Sequence, residues 1–202
     1  MSYYSFRKVW YTTITSNNPD YTWNYSCEEL ENTLNKMLIS KMVKKVFVNL
    51  DGYLEGAKRE ENYYDFSYMG GTVLMIFSDN LALELDIRAE GMIAHRFHNV
   101  SDLTFQTTKD FPPSDMVLSE KYFFDIKDEF ALSFENTYIE AVAVDGTNTY
   151  AFSAKNFDKE KAVLAMYQNK LPANVHFVLN NGVKLSLFGD AIEYFNLYLE
   201  KI

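Results

Sequence analysis

Apolar and polar residues alternate along most of this chain, and the period of the alternation separates strands from helices. Leu81, Leu83, Leu85 and Ile87 alternate with Ala82, Glu84, Asp86 and Arg88, which predicts a half-buried strand with a wet outer face. The apolar run Val73-Leu74-Met75-Ile76-Phe77 just before it reads as a central strand buried on both faces. Between them, Asp79-Asn80 can supply the positive φ angles of a tight turn. Val175–Leu179 and Val183–Leu187 flank Asn181-Gly182 and make the strongest hairpin in the sequence, with a dipeptide suited to a type I′ turn. Further strands are expected at 8–14, 46–50, 92–98 and 122–124, with a hairpin over 139–152 that turns at Asp145-Gly146. The polar stretch 57–65 reads as an exposed loop.

Helical spacing occurs in three places. Ser26 caps a helix and Glu29 completes a capping box, while Cys27, Leu30, Leu34, Met37 and Leu38 form one apolar stripe ending near Lys41. Asp158 can cap a second helix that runs to about Asn169 and is stopped by Pro172. After Gly189, the pair Asp190 and Glu193 precedes Ile192, Phe195, Leu199 and Ile202 at helical spacing. Phe195, Leu197 and Leu199 also alternate, so a strand is the second choice there.

The expected fold is α+β: predominantly antiparallel β-sheet with two or three α-helices. The two hairpins align at an offset of 102, with Val73 on Val175, Leu83 on Leu185 and Leu85 on Leu187. Two similar lobes would follow from a duplication, whereas the plainer reading is that any two alternating hairpins align this well. Residues 1–202 form a single domain, and Phe111-Pro112-Pro113-Ser114-Asp115 is the best boundary for two sub-domains.

Composition narrows the function classes. The chain has 202 residues and a net charge of −9, with 19 basic and 28 acidic residues. The excess is spread evenly, and no basic cluster is longer than Lys44-Lys45 or Lys58-Arg59, so nucleic acid is not an expected partner. An acidic surface leaves room for a basic protein partner. The longest apolar run is five residues, far short of the roughly 20 a membrane helix needs. A single cysteine excludes an internal disulfide and a multi-cysteine zinc site. The first 25 residues lack the apolar core of a signal peptide, and the expected compartment is the cytoplasm. Oligomeric state is not set by the pattern.

Candidate chemistry is sparse. His95 and His98 are the one pair at metal-ligand spacing, but on a strand they face apart, His95 with Ile93 and Phe97, His98 with Arg96 and solvent. No metal and no cofactor is therefore expected. Glu84 and Asp86, two apart on one strand face, stand roughly 7 Å apart, a separation compatible with acid–base work on a glycoside. The plainer reading is a solvated face balanced by Arg88. Cys27 lies in the first turn of a helix but on its apolar stripe, which favours packing over reactivity. His176 faces away from Val175 and Phe177, with no partner Ser or Asp legible from sequence. Phosphate-loop, nucleophile-elbow and zinc-protease signatures are absent. Tyr63, Tyr64 and Tyr68 belong to an early tyrosine-rich stretch and are the candidate binding residues, since tyrosines offer large area and a polar tip. Two functions remain: a non-catalytic protein-binding or inhibitor-type module, or a hydrolase-like or ligand-binding enzyme with Glu84, Asp86 and His95 as catalytic candidates.

Overall fold

A computed structural model gives the architecture and describes residues 22–50, 58–60, 63–68, 70–88, 93–103, 106–108, 122–125, 136–147, 160, 161, 163, 165, 168, 171–189 and 195–201. In chain order the elements are β1 (Thr22–Trp23), α1 (Cys27–Leu38), β2 (Val43–Leu50), β3 (Lys58–Glu60), β4 (Tyr63–Tyr68), β5 (Gly70–Phe77), β6 (Leu81–Arg88) and β7 (Ile93–Asn99). A short 3-10 turn, Val100–Asp102, leads to β8 (Gln106–Thr108), β9 (Tyr122–Asp125), β10 (Ile139–Thr147), β11 (Leu171–Leu179), β12 (Val183–Gly189) and β13 (Phe195–Lys201). The first sheet has the order β1-β7-β6-β5-β2-β9-β8, and the second β10-β11-β12-β13-β4-β3. Neighbours run antiparallel except β8 and β9.

The helix forms where the capping signal places it. Ser26 Oγ accepts the Glu29 N–H at 3.3 Å, which satisfies one of the donors a helix start leaves unpaired. Leu30, Leu34 and Leu38 are fully buried. The helix stops at Leu38 because the chain turns: Ser40 takes a φ of 65° and leads into β2. The stripe packs with Val46, Met75, Leu83 and Leu85 of the first sheet and Val142, Val175, Phe177 and Leu187 of the second. One apolar core therefore joins α1 to the inner faces of both sheets.

Strand β10 lies at a sheet edge, where free backbone groups invite pairing with another chain. Helix α1 satisfies three of them. Asn35 donates through Nδ2 to the Val142 carbonyl at 2.8 Å and accepts the Val142 N–H at 2.9 Å, and Glu31 Oε2 accepts the Val144 N–H at 2.9 Å. Residues one helical turn apart stand about 6 Å apart, close to the roughly 6.8 Å between alternate strand residues. The helix thus presents two side chains at strand spacing.

The sheets also meet through backbone. Met42 and Tyr138 form an antiparallel bridge, with the Val43 N–H on Thr137 O at 2.8 Å and the Ile139 N–H on Lys41 O at 3.1 Å.

The α+β class, mostly antiparallel, holds on two sheets and one fully described helix; the segment expected at 158–169 is helical at residues 160, 161, 163 and 165 and a turn at 168. Several expectations change. The C-terminal segment is β13, not a helix, because it pairs on both sides, with β12 and β4, and long-range ladders override local spacing. Asp145-Gly146 is no turn: β10 runs through it with a shift of register against β11. The stretch 57–65 includes β3 and enters β4. The second hairpin closes with a three-residue loop rather than type I′, since the Gly182 N–H bonds Leu179 O at 3.1 Å and Gly182, not Asn181, takes the positive φ of 76°. The strand expected at 8–14 and the boundary at 111–115 lie outside the described residues.

Candidate functional site

Each sheet carries one buried polar cluster on its outer face. In the first, cross-strand pairing sets up a row Phe47–Leu74–Glu84–Arg96 and a second row Lys45–Ile76–Ala82–His98. Arg96 Nε donates to Glu84 Oε2 at 2.9 Å, Arg96 Nη2 lies 2.7 Å from that oxygen, and His98 Nε2 reaches it at 2.7 Å. Glu84 is 1% exposed. This corrects the expected wet face. Phe47, Leu74, Ile76 and Ala82 pack there with Val100 and Leu103, so the chain after β7 folds back over the sheet. A carboxylate buried this way needs a cation, and Arg96, its direct cross-strand neighbour, supplies it in place of the expected Arg88. His98, expected at the solvent, is buried on the same oxygen. The side chains of Asp86 and Arg88 in β6, and of Tyr63, Tyr64 and Tyr68 in β4, lie outside the described residues.

His95 points the other way, as alternation requires. It pairs in register with Leu85, Nδ1 lies 3.1 Å from Asn24 Oδ1, and its ring meets Phe97 edge-on at 5.6 Å. Burial holds its pKa below the usual histidine value. Glu84 and His95, two of the three catalytic candidates, therefore belong to opposite faces and do not form one site. Among the described residues no three His, Cys, Asp or Glu side chains are placed to hold a metal ion.

The second cluster was not legible in the sequence. His176 Nδ1 lies 2.8 Å from Ser186 Oγ, and His176 Nε2 lies 3.0 Å from Asp145 Oδ2. A carboxylate only accepts, so Nε2 carries a proton, and in the neutral ring Nδ1 accepts from the serine hydroxyl. That is the proton relay of a serine nucleophile, with the two ring nitrogens exchanged. Three strands contribute one residue each, separated by 10 and 31 positions. Only the register of β10, β11 and β12 brings them together. Two facts limit the chemistry. Ser186 is 4% exposed, and β12 is paired on both sides, so its main-chain N–H groups are spent in ladders and cannot form an oxyanion hole.

Cys27 packs against the core, and its pKa is raised to about 11, by burial first and then by Asp145. The thiol is held protonated, in keeping with packing. Among the described residues, the large apolar side chains left in solvent gather instead at the bridge between sheets: Ile39, Met42 and Tyr138 are 47%, 42% and 40% exposed. No helix among the described residues is long and apolar enough to cross a membrane. Comparison with protein-family models, curated proteins and solved structures finds no match to this chain.

Proposed function

We propose that this chain is a non-catalytic module that engages a basic protein partner through the surface around Met42 and Tyr138. The observation that carries the reading is the exposure of Ile39, Met42 and Tyr138 together, at a place where two chain segments pair and bridge partners project from one face. The groups that sequence offered for catalysis support it from the other side. Glu84 is neutralised inside its own sheet, and His95 is bonded to Asn24 on the opposite face. The net charge of −9 favours a basic partner through long-range steering. The test is capture by the full chain from a lysate of the source cell, read by mass spectrometry, beside a Tyr138→Asp variant. A basic protein retained in defined ratio, weakened by salt and lost with the variant, is the expected result. Retention that ignores the substitution, or none at all, overturns the reading.

One observation favours a second reading, a serine hydrolase. The Ser186–His176–Asp145 relay has the hydrogen bonds such a nucleophile requires. A fluorophosphonate probe on the full chain separates the two. Labelling of Ser186 that disappears in His176→Gln makes the chain a hydrolase, and an unlabelled Ser186 ends that reading.

A further inference from the structure

The two sheets are built to one plan. In the first, β5 pairs β6 with Val73 opposite Leu85 and Met75 opposite Leu83; in the second, β11 pairs β12 with Val175 opposite Leu187 and Phe177 opposite Leu185. Every one of these positions is related by the same step of 102 residues. The step continues into the next strand, where Leu83 opposite Phe97 becomes Leu185 opposite Leu199, and Asp86 opposite Ala94 becomes Phe188 opposite Asn196. A slip of one residue in any strand would have broken the match, because it turns every side chain to the other face.

Three irregular features repeat as well, and these are harder to obtain by chance than alternation. The strand beside each hairpin in its sheet, β2 or β10, carries a register shift at the same place, between Val43 and Lys45 in one and between Ile139 and Ala141 in the other. The positive-φ residue of each hairpin loop falls at the same position, Asn80 at 69° and Gly182 at 76°. Each loop holds its following strand in the same way, with the Leu81 N–H on Asp79 Oδ1 and the Val183 N–H on Asn181 Oδ1.

The contact between the sheets repeats in the same way, with β2 and β10 related by a step of 96 residues where the hairpins are related by 102. The Val43 N–H bonds Thr137 O, and the Ile139 N–H bonds Lys41 O; the Ser78 N–H bonds Met42 O, and the Asn180 N–H bonds Tyr138 O. Exchanging the halves turns each bond into its mate. Met42 and Tyr138 pair with each other and are exposed to nearly the same degree, 42% and 40%. That is the signature of a self-complementary contact about a two-fold axis, in which residue i meets j and j meets i.

We infer that residues 41–50 with 70–99, and residues 137–147 with 171–201, are two copies of one four-stranded unit, and that the backbone pairing at Met42 and Tyr138 is the contact between the copies, which leaves their side chains exposed. The inference does not depend on the proposed function. It also relates the buried polar clusters. The row Phe47–Leu74–Glu84–Arg96 corresponds to Ala143–His176–Ser186–Tyr198. Both copies bury polar groups at one level of the outer face, and the copies have diverged there while the inner face kept Val73, Leu83 and Leu85 as Val175, Leu185 and Leu187.

Grafting between the copies tests this in the full chain. One variant places the first loop on the second hairpin, Asn181→Asp with Gly182→Asn, and its reciprocal is Asp79→Asn with Asn80→Gly. A second variant adds the first copy's inner face through Phe177→Met, Leu179→Phe and Val183→Leu. Equivalent units accept these exchanges: cooperative unfolding persists, Tm changes by no more than about 10 °C, and NMR cross-strand contacts still place Val175 opposite Leu187. A shifted register in either loop variant overturns the inference, and so does loss of the cooperative transition in the inner-face graft.

Discussion

At the scale of single residues, burial has decided the roles of the ionisable groups. Glu84 sits where a strand pattern would leave it wet, yet it is enclosed with Arg96 and His98 on one oxygen. Removing one member of a buried ion pair costs about 3–5 kcal/mol when the other is left uncompensated, an upper bound here because Glu84 keeps its bond to His98. Arg96→Met should therefore lower unfolding free energy by up to that amount, while Glu84→Met with Arg96→Met should recover most of it, as urea titration would reveal. His95 gives a pH dependence with a definite sign. Its folded pKa is depressed, so below about pH 6.5 the unfolded chain takes up a proton that the folded chain refuses. Stability from this group is present above the ordinary histidine pKa and declines as pH falls towards the folded value. His95→Gln should flatten the loss of stability between pH 7.5 and pH 5; an unchanged slope would count against it. Cys27, with a pKa of about 11, should react slowly with iodoacetamide at pH 8 and speed up as pH approaches that value. A native-state rate matching that of a free thiol would contradict the assignment.

At the scale of elements, α1 does two jobs. Its stripe of Leu30, Leu34 and Leu38 was readable from spacing alone, and so was its cap. Its second job was not readable: Glu31 and Asn35 look like ordinary surface residues until β10 arrives beside them. Asn35→Ala leaves both backbone groups of Val142 without that partner. A loss of about 1–3 kcal/mol is expected, together with faster hydrogen exchange at the Val142 amide; full protection in the variant would show that Asn35 does not hold the edge. β13 teaches the converse. Phe195 and Leu199 fit a helix and Phe195, Leu197 and Leu199 fit a strand, and nothing local separates the two. The ladders to β12 and β4 settle it, because backbone groups paired on both sides outweigh a small difference in propensity.

At the scale of the whole molecule, the chain's own alternation determined that it would be mostly antiparallel sheet, where its two central hairpins lie, and that His95 and His98 would face apart. These are period-two facts, written in neighbouring residues and true for any packing of the strands. What only the tertiary structure decided is which outer face becomes covered and which distant residues meet. Glu84 is buried on a face that Val100 and Leu103 help to cover by packing on Phe47, Leu74, Ile76 and Ala82, and Asp145, His176 and Ser186 meet because three strands align in register. Such contacts depend on register and on layers closing over one another, and no local period encodes either.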